Sequence, residues 1–125
     1  QYSIGELWKK HGEQVFRVYE RMELIRLTST RNPHILATGG GTPAFYDNME
    51  FINQFYTTFW LDVNMDIAVS RVKTDISQIR PLLARKDLKD LYLRRKTHYA
   101  KAKHHINADG QPEDILSAIK GILSK

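Results

Sequence analysis

Several features that commonly reveal a protein's class are absent from these 125 residues. There is no cysteine, which excludes disulfide bonds and thiolate metal sites and is typical of a cytoplasmic protein. The adjacent His104 and His105 face opposite sides of a predicted strand, so we expect no metal site in this chain. No apolar run approaches the ~20 residues of a membrane-spanning helix, and the first residues lack the pattern of a secretory signal. We therefore expect a cytoplasmic protein that does not cross a membrane.

The residues that are present have an ordinary globular composition, with 42% apolar and 26% charged residues. A chain of this length is typical of one domain, so we predict a single domain over residues 1–125. The formal net charge of +5 favours an anionic partner, which is either a nucleic acid or a small acidic or phosphorylated metabolite. Charge alone does not distinguish between these two partners.

Helical and extended segments alternate along the chain. Apolar residues at helical spacing predict helices over about residues 3–12, 13–27, 43–54, 65–73, 88–103 and 113–123. Ser3 and Glu6 have the spacing of a capping box, and Gly12 is placed to end the first helix. Runs rich in β-branched and aromatic residues predict strands over residues 35–38, 57–63 and 104–108. This alternation predicts an α/β fold with a parallel sheet, and three strands are few for such a sheet.

Three consecutive glycines, Gly39, Gly40 and Gly41, separate the predicted strand over residues 35–38 from the helix that Pro43 opens. A strand that turns through glycines into a helix lets the backbone approach a ligand closely, with N–H groups directed outward. Such a turn suits a phosphate or a carboxylate. The alternative is a flexible turn that binds nothing.

Three arginines are candidates for binding an anion, and each has a simpler alternative. Arg17 lies three residues before Glu20, so the pair is either a solvated ion pair or an arginine that a carboxylate orients toward a substrate carboxylate. Arg80 lies in an irregular segment and is either an ordinary loop charge or a group that neutralises charge in phosphoryl transfer. Arg95, four residues before Tyr99, is either part of a solvated basic face or directed inward to an anion.

The order of these motifs along the chain is more informative than any one of them. The chain carries Gly-Glu-x-x-Phe-Arg-x-x-Glu (residues 12–20), Ala-Thr-Gly-Gly-Gly (37–41), Arg-Pro-Leu-Leu (80–83) and Arg-x-x-x-Tyr (95–99). This series resembles the shikimate kinase family over nearly the whole chain. The resemblance implies a P-loop fold with three α/β/α layers and a parallel sheet. In the complete protein the strand order would be 2-3-1-4-5, with strands 1 and 2 absent here.

The resemblance also implies a reaction and assigns residues to the acceptor side of its site. Family members transfer the γ-phosphoryl group of ATP, with Mg²⁺, to the 3-hydroxyl of shikimate on the route to aromatic amino acids. Arg17 and Arg95 are expected to hold the shikimate carboxylate, and Glu20 is expected to orient Arg17. The glycines of residues 39–41 are expected to line the substrate, with the N–H of Gly40 donated to shikimate.

Three further residues are expected on the ATP side. Arg80, in a lid loop over residues 74–86, matches the catalytic arginine that reaches the transferring phosphoryl group and contacts the nucleotide. Pro112 matches the residue that lies against one face of adenine. Lys73 stands where many family members carry an arginine on the other face of adenine. The interval from Arg80 to Arg95 is a few residues shorter than the family's usual spacing.

The phosphate-binding motif of the family, Gly-x-x-x-x-Gly-Lys-[Ser/Thr], does not occur in these residues. The family's first strand, phosphate loop, first helix and second strand have no counterpart here. We therefore expect the chain to be the C-terminal part of a shikimate-kinase-like domain. A polypeptide of residues 1–125 is then expected to be neither stable nor active by itself. A cooperative melt and shikimate-dependent ADP release from that polypeptide would contradict this expectation.

Other functions stay open from the residues alone. A different small-molecule or nucleotide kinase of the same fold would keep Arg80 and be indifferent to shikimate, and a degenerate kinase homologue would lack the phosphate loop altogether. A non-catalytic basic module is suggested by residues 94–96 and 101–105, although nearby acidic residues interrupt any continuous basic stripe. Under the shikimate kinase interpretation, the partners are shikimate and ATP, without nucleic acid or membrane, and the protein is a monomer.

Overall fold

A computed structural model describes residues 3–71 and 85–125 of the chain. Within them the elements are α1 (Ile4–Thr28), a 3-10 turn (Thr42–Ala44), α2 (Asn48–Phe55), β1 (Phe59–Asp62), α3 (Met65–Arg71), α4 (Arg85–Tyr99), β2 (His104–Asn107) and α5 (Pro112–Leu123). The chain divides into two compact units, residues 1–55 and residues 56–125. None of the helices in the described parts of the chain is long and apolar enough to cross a membrane.

The first helix begins and is interrupted where the local sequence predicts. The Ser3 hydroxyl accepts a hydrogen bond from the Glu6 N–H at 3.1 Å, and the Glu6 carboxylate accepts one from the Ser3 N–H at 3.0 Å. Gly12 has a φ of 85° and a ψ of 174°, which places a kink within α1. An L side chain is strained at such a φ, so glycine is the residue suited to this kink.

The interior of the first unit is only partly apolar. Leu24 of α1 is buried together with Met49 and Ile52 of α2. Arg17 and Asn48 are buried as well, and are 5% and 0% exposed. Polar groups removed from water need hydrogen-bond partners. The contacts of these two residues therefore constrain the structure of the first unit around them.

The prediction of a strand over residues 35–38 is wrong. This segment has no regular secondary structure, and Ile35 is 97% exposed. A strand exists only where a neighbouring backbone pairs with it, and no other part of residues 3–71 or 85–125 forms a ladder with this segment. Apolar composition alone was therefore insufficient to form a strand here.

The predicted helix over residues 43–54 begins later than expected. The chain first makes the 3-10 turn that contains Pro43, and α2 starts only at Asn48. Tyr46 has a φ of 52°, in the left-handed region, and a right-handed helix cannot pass through such a residue. The glycine triplet is thus followed by a tight turn rather than directly by an α-helix.

The second unit contains a parallel pair of strands, which confirms the predicted α/β architecture. Strands β1 and β2 pair in the register Phe59 with His104 through Asp62 with Asn107. Both strands are shorter than predicted, because only four residues of each take part in the ladder. Of the predicted lid loop, residues 85–86 belong to α4, and residues 74–84 lie outside the described residues.

Candidate functional site

Arg17 is the centre of a charged cluster on α1. Its guanidinium donates to Glu20 Oε1 at 2.9 Å and to Glu13 Oε1 at 3.4 Å. The three residues share one helical face because they are three and four positions apart. The Arg17 side chain is only 6% exposed and that of Glu20 is 17% exposed, whereas that of Glu13 is 45% exposed. The Arg17–Glu20 pair is therefore shielded from solvent, and its two side chains are in direct contact.

Aromatic rings and a glycine surround the same guanidinium. The Arg17 Cζ atom lies 4.1 Å from the centre of the Phe45 ring, 5.1 Å from that of Phe16 and 5.6 Å from that of Trp8. A Cβ atom placed on Gly41 would lie 2.8 Å from Arg17 Cζ, which is closer than real Cβ contacts. Cation–π attraction and the absence of a side chain at Gly41 together allow the guanidinium to be buried in this position.

Thr42 connects the end of the glycine triplet to the Arg17 cluster. Its hydroxyl donates to Glu20 Oε2 at 2.8 Å, and the residue is 4% exposed. Glu20 therefore uses one carboxylate oxygen for Arg17 and the other for Thr42. The Arg17 Nε atom is buried and has no hydrogen-bond partner among the residues that the structure describes. A buried donor without a partner is costly, and such groups are uncommon in native proteins.

The sequence-predicted site residues are distributed unevenly over the structure. Arg17, Glu20 and Gly41 come together in the first unit, and a Cβ on Gly39 would make ordinary contacts with Glu20 and Thr42. Gly40 belongs to the same turn and is exposed. Of the other predicted residues, two belong to the second unit, Arg95 and Pro112, and two lie outside the described residues, Lys73 and Arg80.

Phe45 and Thr42 are two residues of this cluster, next to the glycine triplet, that sequence reasoning missed. Thr42 directly follows the glycine triplet, and Phe45 follows three residues later. Their proximity to the glycines was the only available signal, because contacts with Arg17 and Glu20 join positions more than 20 residues apart.

Arg95 lies on a half-buried face of α4. Tyr92 and Tyr99 occupy the same face, because they are three residues before and four residues after Arg95. The Tyr92 and Tyr99 ring centres are 6.4 Å apart, and Tyr99 lies 6.1 Å from the ring of Trp60 in β1. The face that carries Arg95 is thus the one that packs toward the strands of the second unit.

Pro112 occupies the first turn of α5, directly after a turn that Arg71 holds in place. The Arg71 guanidinium donates to the backbone carbonyls of Ala108, Asp109 and Gly110 at 3.1, 3.0 and 3.0 Å. The Asp109 carboxylate accepts a hydrogen bond from the Asn64 N–H at 2.7 Å. These contacts link the beginning and end of α3 to the segment that leads to Pro112.

A second polar cluster joins both strands of the second unit to α4. Asp62, the last residue of β1, accepts hydrogen bonds from the Tyr92 hydroxyl and from His105 Nε2, each at 2.8 Å. The His105 ring is stacked on Trp60, with ring centres 4.2 Å apart and an interplanar angle of 12°. One carboxylate therefore connects β1, β2 and α4.

This arrangement shifts the pKa values of two groups in opposite directions. Burial, together with the hydrogen bond to Asp62 and its negative charge, raises the pKa of the Tyr92 phenol to about 12. Burial by itself raises the pKa of the Asp62 carboxyl. The hydrogen bonds from His105 and Tyr92, with the charges of His105 and Lys96, outweigh that effect and lower the pKa of Asp62 below its usual value.

We expect the Asp62–Tyr92 contact to stabilise the complete protein over a defined pH range. Because the pKa of Tyr92 is raised on folding, its contribution to the free energy of unfolding is fully present below pH 10.0. This contribution is lost as the pH rises toward about 12. The contribution of Asp62 has the opposite dependence and is lost in acid, as the pH falls through its lowered pKa. A difference titration of phenolate absorbance between the native protein and Tyr92→Phe measures the pKa of Tyr92. The substitution Asp62→Asn should move that pKa back toward 10.0, and an unchanged value would contradict the assignment.

Residues 3–71 and 85–125 contain no group of three or more histidine, cysteine, aspartate or glutamate side chains arranged to hold a metal ion. We assign no metal ligand to the residues that the structure describes.

Comparisons with known proteins find the same family that the order of motifs in the sequence indicates. A family model described as shikimate kinase matches residues 1–123. The shikimate kinase of Bacteroides thetaiotaomicron is 37% identical over 114 residues, which are 86% of this chain and 64% of that protein. The shikimate kinase of Persephonella marina is 34% identical over 122 residues, which are 95% of this chain and 73% of that protein.

The fold is similar to that of a solved structure as well. The crystal structure of the shikimate kinase from Bacteroides thetaiotaomicron matches with a TM-score of 0.83 and 30% sequence identity, over 98% of this chain and 76% of that chain. This similarity confirms the predicted P-loop α/β fold class. The chain spans 64% of the length of the first curated relative that it matches, slightly less than two thirds.

Proposed function

This chain belongs to the shikimate kinase family, and we propose that the complete protein that contains it transfers the γ-phosphoryl group of ATP to the 3-hydroxyl of shikimate. In this reaction the hydroxyl oxygen bonds to the γ-phosphorus, and the bond from that phosphorus to the bridging oxygen breaks. The hydroxyl proton is released, and the products are shikimate 3-phosphate and ADP. The observation that carries the proposal is the buried Arg17 guanidinium, which two carboxylates hold beside Gly41.

The geometry of Arg17 suits a carboxylate of the acceptor. A guanidinium has five N–H donors, and the contacts with Glu13 and Glu20 do not use all of them. The Nε donor has no partner in the described part of the chain although it is buried. A substrate carboxylate would accept charge-assisted hydrogen bonds from the guanidinium donors that Glu13 and Glu20 leave unused. Glu20 holds the Arg17 guanidinium in its orientation before the substrate binds, so the Arg17 side chain loses less conformational entropy on binding.

Further acceptor contacts are proposed from the resemblance to the family. Arg95 supplies the second guanidinium for the carboxylate, and the glycines Gly39, Gly40 and Gly41 line the substrate, with the Gly40 N–H donated to it. The role of Arg95 is supported by its half-buried position on the face of α4 that also carries Tyr92. Binding the acid through several fixed donors positions its hydroxyl, which is a large part of catalysis in phosphoryl transfer.

We also propose roles for residues on the nucleotide side of the site. Pro112 lies against adenine, at the start of a helix whose preceding turn Arg71 fixes. Lys73 contacts the other face of adenine, and Arg80 neutralises charge on the transferring phosphoryl group as the catalytic arginine. We further propose that Mg²⁺ enters with ATP and is bound largely through its phosphates, as is usual for this ion.

The remaining features of the protein follow from the same proposal. The substrates are shikimate and ATP, and neither nucleic acid nor a membrane takes part. The protein acts as a monomer in the cytoplasm, and residues 1–125 form the C-terminal part of one kinase domain, with residues 74–86 serving as its lid.

A coupled assay with the complete protein tests the proposed reaction. ADP release should depend on shikimate, and the product should be shikimate 3-phosphate, identified by its phosphorus resonance. Nucleoside monophosphates and other hydroxy acids serve as competing acceptors. Phosphorylation of one of these in place of shikimate would assign the protein to another kinase activity. Salt-sensitive DNA binding without shikimate binding would instead favour a basic binding module.

A further inference from the structure

Asn48 is the most completely buried polar side chain in the first unit, with 0% exposure. Its Nδ2 donates to the backbone carbonyl of Thr42 at 2.8 Å, and its Oδ1 accepts a hydrogen bond from Arg21 Nη1 at 2.6 Å. The amide therefore uses a donor and an acceptor at the same time. Since a buried amide is costly unless both of its ends are paired, this position strongly favours asparagine.

Arg21 is the partner that joins Asn48 to α1. It also forms an ion pair with Asp47 at 3.0 Å, and its Cζ lies 4.3 Å from the centre of the Phe51 ring. Arg21 is four residues after Arg17, so the two guanidinium groups project from the same face of the helix. Arg21 contacts the start of α2, and Arg17 contacts the segment just before it.

Thr42 receives contacts from α1 by two separate routes. Its hydroxyl donates to Glu20, and its carbonyl accepts the hydrogen bond from Asn48, which is itself held by Arg21. Thr42 directly follows Gly41, whose backbone lies so close to Arg17 that a Cβ would be 2.8 Å from Cζ. An arrangement this close tolerates only small shifts of the backbone. The two routes of contact with α1 prevent larger shifts.

We infer that Asn48 and Arg21 are positioning residues for the acceptor site. They hold the backbone of the glycine triplet against α1, so that Gly41 and the Arg17 guanidinium keep the spacing that a substrate carboxylate requires. Neither residue is assigned a contact with the substrate. This inference rests on the proposed function only in naming the ligand, because the positioning itself is a property of the free protein.

Two substitutions separate the positioning role from general stability. Asn48→Asp keeps an oxygen for Arg21 but turns the second atom into an acceptor that faces the Thr42 carbonyl, so this contact becomes repulsive. Arg21→Met keeps much of the packing on Phe51 and removes the hydrogen bond to Asn48. Arg26→Met is the matched control, because Arg26 lies on the same helix, pairs with Glu23 and has a 65% exposed side chain.

In the complete protein, both substitutions should raise the KM for shikimate by roughly 5- to 20-fold, as expected for one buried hydrogen bond. The KM for ATP should change less than about twofold, since the hydrogen bonds that these substitutions remove lie on the acceptor side. Arg26→Met should leave both values unchanged. Equal increases in both KM values, or an unchanged KM for shikimate in a folded variant, would overturn the inference. Arg21→Met keeps the test valid if Asn48→Asp fails to fold.

Amide hydrogen exchange provides a second measurement that needs no substrate. The Thr42 and Ala44 N–H groups donate to Gly39 and Gly41 at 3.2 and 3.0 Å, so their exchange reports whether the triplet stays in place. Exchange at these two amides should accelerate about tenfold in Arg21→Met and stay unchanged in Arg26→Met. If the native protein does not phosphorylate shikimate, the proposed function fails, and the exchange rates still decide the positioning role. Unchanged exchange in Arg21→Met would contradict that role.

Discussion

Replacing Arg17 by lysine in the complete protein should raise the KM for shikimate by about 10- to 100-fold while the KM for ATP stays nearly constant. Lysine keeps the positive charge beside Glu13 and Glu20, so neither carboxylate is left without a cation. It cannot, however, reproduce the planar fork that donates to several acceptors at once. The loss of a hydrogen bond to a charged group costs about 1.5–3 kcal/mol, which corresponds to this range of affinities.

Steady-state kinetics with each substrate varied in turn is the measurement for Arg17→Lys. Arg26→Lys is the matched control, because it makes the same chemical change on the same helix at a side chain that is 65% exposed. The control should behave as the native protein does. A KM for shikimate that is the same in Arg17→Lys and in the native protein would show that Arg17 does not bind the acceptor.

Gly41→Ala should weaken shikimate binding by at least tenfold without unfolding the protein. The added Cβ would meet the Arg17 guanidinium, with Cζ only 2.8 Å away, so one of the two groups must shift. The guanidinium is at the far end of a flexible side chain, and its displacement costs less than a backbone rearrangement. Arg17 would then lose its position relative to Glu20 and Phe45, and the donors would no longer be directed correctly.

Calorimetric titration of the complete protein with shikimate measures the effect of Gly41→Ala, and thermal unfolding checks that the variant is folded. Gly121→Ala is the control, because a Cβ at this exposed position of α5 would meet nothing within 4 Å. Alanine at a helical position is mildly stabilising, so this variant should bind shikimate normally and melt no earlier than the native protein. Normal shikimate affinity in Gly41→Ala would contradict the contact between Gly41 and Arg17.

Local features of the fold were predictable because their causes are local. The capping box of Ser3 and Glu6, the kink at Gly12 and the pairing of Arg17 with Glu20 each depend on residues at most four positions apart. The parallel pairing of β1 and β2 followed from the alternation of helices and strands. Such features need no knowledge of the rest of the chain.

The predictions that failed depended on partners or on single backbone angles. Residues 35–38 are apolar enough for a strand, but the described residues provide no neighbouring backbone to pair with them. The helix expected from residue 43 is delayed by the positive φ of Tyr46, which its residue type does not predict. Local propensity cannot determine either outcome.

Within the candidate site, residue types were predictable and their contacts were not. The glycine triplet suggested a close approach of the backbone, and the structure shows Gly41 approaching the Arg17 guanidinium. Apart from the proximity of Phe45 to the glycines, the sequence did not indicate the contacts of Phe45 and Asn48, because their partners Arg17 and Arg21 lie more than 20 residues away. The same holds for Asp62, whose carboxylate is paired with Tyr92 over 30 residues.

The central claim is that the Arg17 cluster of the first unit binds the carboxylate of shikimate. A crystal structure of the complete protein with shikimate tests this claim most directly. The account predicts a shikimate carboxylate oxygen at about 2.7–2.9 Å from a guanidinium nitrogen of Arg17, with Glu20 still bonded to the same guanidinium. Shikimate bound elsewhere, with no contact between its carboxylate and Arg17, would contradict the account.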